Sequence, residues 1–249
     1  MAGPFKDHFS VAAGAYGRFR PGYPRELPER LAAAAPGRER CWDCATGSGQ
    51  AAALVAPWFD EVVATDASAE QIAHAVPLDG VRYAVATAER SGLPDASVDL
   101  VTVAQALHWF DLQSFYAEVQ RVDRPGAVLA AWAYSLATVD AAVDAVVNRF
   151  YQALAPWWPP ERALVESGYA TLPFPFEPVA LPALEMRAEW PLDHLLGYFG
   201  TWSAVNRCRR ATGSDPLDAL AGPLTAAWGD RSAPRTIRWP LHLRVGRLQ

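Results

Sequence analysis

The sequence predicts an α/β protein built on a doubly wound, mostly parallel sheet, and three observations carry that prediction. Short apolar, β-branched runs alternate with segments of helical periodicity from about residue 24 to residue 134. The run 98–104, VDLVTVA, is nearly continuous in β-branched and apolar residues, as a parallel strand covered on both faces requires. The turn Gly47-Ser48-Gly49 falls between a strand and a helix, where backbone approaches a ligand closely and helix N–H groups point at it.

The elements follow in order. Residues 24–35, PRELPERLAAAA, read as a helix with Leu27 and Leu31 on one face, ended by Pro36-Gly37. Residues 40–45 form a short buried strand that runs into the glycine turn, and residues 50–59 form a helix whose far end is limited by Pro57. EVVATD, 61–66, is a second strand ending in an acid, VRYAVA, 81–86, a third, and 98–104 the fourth. Asp111 caps a helix that carries Leu112, Phe115, Val119 and Val122 at spacings of three and four. Arg124-Pro125-Gly126 reads as a turn, AVLAAWAY, 127–134, as a fifth strand, and 139–154 as an amphipathic helix through Val143, Val147, Phe150 and Leu154. LEMRAEW, 184–190, and TIRWPLHLRV, 236–245, close the sheet as its sixth and seventh strands, with helical material between them.

Composition bounds the function. With 249 residues, 51% of them hydrophobic and 20% charged, the chain can bury a sizeable single core. A net charge of −5 argues against a broad nucleic-acid surface, which needs clustered Lys and Arg. The start, MAGPFKDHFS, lacks the charged head and long apolar run of a secretory signal, and no apolar run is long enough to span a bilayer. Three cysteines make no extracellular disulfide framework, so a cytoplasmic protein is expected. Ten Trp and twenty-one Pro, many after residue 130, mark a shift to an irregular aromatic region that either shapes a pocket or packs surface loops.

The ten residues CWDCATGSGQ, 41–50, hold both a Cys-x-x-Cys pair and a Gly-x-Gly turn. On an extended strand, residues three apart face opposite sides, so Cys41 and Cys44 diverge, whereas zinc and redox pairs need both sulfurs together. The cysteines are therefore read as packing, with no metal expected. The glycine turn gains support from Asp66, which ends the next strand seventeen residues past Gly49, where a carboxylate can accept both ribose hydroxyls of an adenosine. Asp43, four residues before Gly47, can hold a ligand ammonium or orient the loop, Ala88-Glu89 can meet an adenine edge, and AQALHWFD closes the fourth strand over the same face.

On these motifs the segment from about Asp7 to Tyr134 resembles class I S-adenosylmethionine-dependent methyltransferases of the small-molecule branch labelled type 11. YGRFRPGYP, DCATGSGQ, TDAS, AERSGLPDASVDLV and QALHWF, with TWSAV (201–205) and the WPLHLRVGR tail, look like the trans-aconitate methyltransferase-like group. The resemblance implies a Rossmann-like seven-stranded sheet with a helical cap over the site, S-adenosylmethionine as cofactor, and a small-molecule methyl acceptor such as a carboxylate or hydroxyl. It implies one domain over 1–249: an arm and helix at 1–35, a cofactor-binding core at 36–135, a cap insertion at 136–183 and closing strands and helices at 184–249.

Carried over residue by residue, the resemblance assigns Asp43, Gly47 and Gly49 to the cofactor loop, Asp66 to the ribose, and Ala67 beside the adenine. Ala88 and Glu89 match the adenine edge, and Gln105 opens the loop beside the methionine portion. Ala45 stands where the family loop carries its first glycine, an exchange expected to be tolerated with a negative φ and to weaken or shift binding slightly. Tyr16 is expected near the sulfonium and Arg20 on a carboxylate of cofactor or acceptor. Trp109, Trp202, Ser203 and Arg207 are candidates for the acceptor pocket, with His194 either there or on a surface turn. His108 is the candidate base if the acceptor is an alcohol or phenol, and otherwise a hydrogen-bonded helix-entry residue. An NAD(P)-dependent oxidoreductase, a non-catalytic cofactor-binding protein, and a nucleic-acid or protein methyltransferase remain as rival readings.

Overall fold

The computed structural model describes residues 19–248. Its elements are α1 (Glu26–Ala34), β1 (Arg40–Cys44), α2 (Gln50–Val55), β2 (Glu61–Asp66), α3 (Ala69–His74), β3 (Val81–Val85), β4 (Val98–Ala104), α4 (Leu112–Val122) and β5 (Asp123–Tyr134). They continue as α5 (Ala141–Ala153), α6 (Arg162–Glu166), β6 (Glu177–Pro178), β7 (Leu184–Trp190), α7 (Leu192–Gly200), α8 (Ser203–Thr212), α9 (Leu217–Trp228) and β8 (Arg235–Arg247).

The sheet runs β3-β2-β1-β4-β5-β8-β6, with β7 also paired to β8. The first five strands are parallel and β8 returns antiparallel to β5, pairing Trp132 with Leu243 and Tyr134 with Leu241. The doubly wound expectation holds, with the two-residue β6 as an eighth strand. β1 lies between β2 and β4, so chain order reverses across it, and open α/β sheets bind ligands outside the carboxyl ends of strands at such a point.

Two layers cover the sheet. On one face Leu27 and Leu31 of α1, Val55 of α2, and α5, α7 and α9 bury against Cys41, Leu100, Trp132 and Trp239. On the other, Phe115, Val119 and Val122 of α4 pack with Trp42, Cys44, Val101 and Tyr169. The spacing of three and four along α4 explains its burial, and the Asp111 side chain caps its start through the Ser114 N–H. Asp140 caps α5 likewise, accepting from the N–H groups of Ala142 and Val143.

Two details differ from expectation. Helix α2 ends at Val55, and residues Ala56–Trp58, with Pro57, tighten into a 3₁₀ turn. Arg124-Pro125-Gly126 is a bulge inside β5 rather than a turn before it. Asp123 already pairs with Val98, and the register resumes at Leu100 opposite Val128, with Gly126 at φ 80° absorbing the excursion.

Candidate active site

Cys41 and Cys44 are both fully buried, Cys41 in the layer of α1 and α2 and Cys44 in the layer of α4. The sheet separates them, and burial pushes both thiols well above their ordinary range. The strand geometry thus removes the Cys-x-x-Cys reading and leaves the glycine turn.

That turn is braced from below. Asp43 is wholly buried, and in the parallel register it lies directly beside Thr102 of β4. Thr102 donates its hydroxyl to Asp43 Oδ1 at 2.7 Å, Thr46 donates to Oδ2 at 2.6 Å, and the Ala52 N–H also reaches the carboxylate. Burial raises the Asp43 pKa to about 6 despite these donors. Of the two roles open to Asp43 in the sequence, the geometry supports orienting the loop, because both oxygens are held inside the protein.

The loop turns through left-handed conformations at Ala45 (φ 56°), Gly47 (φ 57°) and Gly49 (φ 90°). The negative φ expected of Ala45 is therefore wrong: the alanine occupies the glycine conformation that its position demands, at a cost of about 1–2 kcal/mol. A Cβ on Gly47 would meet no atom of the described residues within 4 Å, so among them open space lies over the loop. A Cβ on Gly49 would lie 2.5 Å from the Tyr83 hydroxyl, so a side chain there would have to push the Tyr83 ring aside while itself holding the left-handed φ of 90°.

Asp66 closes the other side. It is 9% exposed, and its Oδ2 accepts the Gly47 N–H at 2.9 Å while Oδ1 accepts the Ser68 N–H at 2.9 Å. Ala67 follows half-buried. Beyond β3, Ala88 is buried and Glu89 Oε1 accepts the Asp111 N–H at 3.2 Å, linking that loop to the start of α4. At the end of β4, Gln105 takes φ 60° and buries Nε2 without an acceptor among the described residues.

Residues 42–131 match the family described as "Methyltransferase domain". The chain is similar to a "Putative methyltransferase" of Dictyostelium discoideum, 32% identical over 229 residues that cover 90% of this chain and 87% of the relative. It is similar also to the solved structure of a "Putative Type II Methyltransferase" from Anaeromyxobacter dehalogenans, 53% identical, covering 92% of this chain and 98% of that one, with a TM-score of 0.87. The chain belongs to the class I S-adenosylmethionine-dependent methyltransferases. A third likeness, to the YcgJ protein of Bacillus subtilis, is 17% identical with a TM-score of 0.52 over 91% of this chain and 99% of that one, and speaks to the fold alone.

S-adenosylmethionine is the cofactor of this methyltransferase, and the residues at the switch point fit it. A buried carboxylate ends β2 where a ribose diol needs acceptors, and among the described residues open space lies over Gly47 and the amide of Gln105 holds an unspent donor.

The remaining candidates sort as follows. Tyr16 lies outside the described residues. Arg20 donates from Nη1 to the Tyr134 hydroxyl at 2.6 Å and stacks over Tyr198 at 5.5 Å, tying the end of β5 to α7. Gln50, next to Gly49, donates to the Pro21 carbonyl at 2.8 Å, so the entering chain is bound to the methyltransferase loop itself. Trp109 stacks beside His108 at 4.7 Å in the turn after β4.

His108 does not suit the role of base. Its Nδ1 lies 2.9 Å from the Tyr169 hydroxyl, and burial first, then the charge of Arg162, lowers its pKa to about 3. So weak a base gives little drive for proton abstraction near neutral pH. Trp202 is 5% exposed and sits among Phe150, Tyr151, Trp158, Tyr198 and Phe199, as core of the helical layer rather than pocket wall. Ser203 and Arg207 lie half-buried on α8. His194 lies in α7 between Phe19 and Trp190, at 5.1 and 4.2 Å, and not on a surface turn.

Thr46, Thr102 and Tyr169 escaped the sequence reading. Thr102 becomes a partner of Asp43 only once β4 is known to lie beside β1, and Tyr169 lies in a loop with no motif.

Proposed function

We propose that this methyltransferase transfers the methyl group to a small organic acceptor, bound between the turn after β4 and the segments from α5 to α8. The observation that carries the reading is the coupling of the two regions by aromatic side chains. Tyr169, from the segment after α6, places its hydroxyl on His108, and Arg20 bridges Tyr134 and Tyr198. Aromatic side chains at this place suit a small ligand, whereas nucleic acid calls for a basic surface that a chain of net charge −5 does not favour.

When bound, the cofactor supplies a methyl group on a positively charged sulfur. The chain's own residues then have three tasks. The Asp43-braced loop and Asp66 hold the adenosyl end, and Gln105 offers its amide to the methionine end. The aromatic turn at Trp109 excludes water and aligns the acceptor behind the methyl carbon, and such positioning supplies much of the rate without a catalytic base.

The trans-aconitate methyltransferase-like resemblance supports the small-acceptor reading. A panel of small carboxylic acids, phenols and amines, assayed for S-adenosylhomocysteine release, tests it. Turnover of at least one small acceptor is expected. Methylation of protein or nucleic acid with none of the panel would contradict it.

A further inference from the structure

The segment after α6 turns through two consecutive left-handed residues, Gly168 at φ 60° and Tyr169 at φ 62°. That conformation is strained for tyrosine and persists only where the surroundings over-determine it. Tyr169 is 0% exposed, its N–H donates to the Leu164 carbonyl at 2.8 Å, and its carbonyl accepts from Arg244 Nη1 on β8. The strained backbone delivers the phenol to the turn that follows β4, where its hydroxyl lies 2.9 Å from His108 Nδ1.

The direction of that hydrogen bond follows from counting donors. A phenol has one hydrogen to give and two lone pairs. The N–H groups of Leu107 and His108 are directed at the same oxygen, and burial keeps the phenol protonated by pushing its pKa up. With its lone pairs facing backbone donors, the hydroxyl gives its hydrogen to Nδ1. Burial first, then Arg162, holds the His108 pKa down at about 3, so the ring carries a single hydrogen. With Nδ1 accepting, that hydrogen sits on Nε2.

The ring is held in place as well, its centroid 4.7 Å from that of Trp109 and 5.8 Å from that of Tyr169. Nε2 has no partner among the described residues, and the half-buried ring leaves it open to solvent. Three residues earlier, Gln105 is left-handed too, and its buried Nε2 lacks an acceptor among the described residues. The carboxyl end of β4 therefore presents two oriented, unspent N–H donors.

Resting on the small-acceptor reading above, we infer that Tyr169 is a positioning residue for methyl transfer: it holds His108 as the Nε2–H tautomer, a hydrogen-bond donor to a lone pair of the bound acceptor. The histidine orients that acceptor and takes no proton from it.

Nitrogen NMR on histidine-labelled protein reads the tautomer directly, the His108 signals being assigned by their loss in His108→Gln. Wild type should show a hydrogen on Nε2 and a bare Nδ1; a hydrogen on Nδ1 would overturn the inference. Tyr169→Phe keeps the ring, loses the hydroxyl and should release His108 into a mixture of tautomers. On whichever acid, phenol or amine of the panel wild type turns over, its kcat/KM should fall about tenfold, with S-adenosylhomocysteine affinity within about twofold by calorimetry. A variant merely less stable, unchanged in tautomer and kcat/KM, would overturn the inference and leave the hydroxyl as packing. If Tyr169→Phe does not fold, the histidine itself decides. His108→Leu, which has no donor, should fall about tenfold below His108→Gln, which keeps one, and equal rates would overturn the inference. Each of these failures leaves the small-acceptor reading intact, whereas S-adenosylhomocysteine binding with no turnover of the panel would overturn both.

Discussion

The backbone N–H of Gly47 donates to Oδ2 of Asp66 at 2.9 Å, so the acid that ends β2 holds the middle of the loop that follows β1. Asp66 Oδ1 accepts the Ser68 N–H, and Asp43 holds the same loop from beneath through Thr46. Two buried carboxylates from adjacent strands therefore shape five residues of backbone before any ligand arrives. That preorganisation reduces the ordering cost of binding, and it makes the loop sensitive to changes that touch no ligand.

Ala45 provides the first such change. At φ 56° it bears left-handed strain that glycine would not. Ala45→Gly gains on that strain and loses on the entropy of the unfolded chain, so it should be neutral or more stable by up to about 1 kcal/mol. Ala45→Val should be less stable by about 1 kcal/mol or more, since a β-branched residue tolerates positive φ poorly. Urea denaturation of the three proteins checks the order; a clear loss in Ala45→Gly would mean that the left-handed conformation is wrong.

His108 gives a kinetic prediction. With a pKa near 3, it is neutral throughout the physiological range and should impose no ionisation on activity between pH 5 and 8. His108→Gln should keep activity within about tenfold of wild type, whereas loss of a true general base costs about 10²–10⁴-fold. A pH–rate profile with a limb near 6.5 that vanishes in His108→Gln would restore the base.

Much of this arrangement could be read in the sequence, and the parts that could not have physical reasons. The strands announced themselves through β-branched runs, α4 through spacing and its capping Asp111, and α5 through spacing alone. The six residues of α3 and the two of β6 are too short to leave a period. The bulge at 124–126 resembled a turn because Pro and Gly serve both, and only the pairing of Asp123 with Val98 separates them. Within the site, the positions of Asp66, Gly47 and Gly49 followed from strand ends. The Thr102–Asp43 contact required the order of strands, which no local pattern carries. Trp202 looked like a pocket residue and is core, because an aromatic residue in a helical layer leaves the same mark in either role.

Asp123, remote from the loop, predicts a pH effect on stability. It is 6% exposed, both carboxylate oxygens lack a hydrogen-bond partner among the described residues, and burial, then repulsion by Asp99, raises its pKa to about 8. The folded state thus holds a proton that the unfolded chain releases near the ordinary carboxylate value. The stability contributed below that value is lost progressively as pH rises toward 8. Asp123→Asn removes the dependence, so it should match wild type near pH 4 and exceed it by about 1–3 kcal/mol near pH 8. Denaturation at both pH values checks this. A gain independent of pH would show that the carboxyl titrates normally.

The most direct test of the central claim, that the switch-point loop and Asp66 form an S-adenosylmethionine site, is a calorimetric titration with S-adenosylhomocysteine and, separately, with NAD. Wild type should bind S-adenosylhomocysteine at one site per chain and give no comparable signal with NAD. Asp66→Ala should weaken S-adenosylhomocysteine binding by about 1–3 kcal/mol while remaining folded, since it removes the carboxylate proposed to accept the ribose hydroxyls and the brace on Gly47. Tight NAD binding with no heat from S-adenosylhomocysteine, or an Asp66→Ala protein of unchanged affinity, would contradict the account.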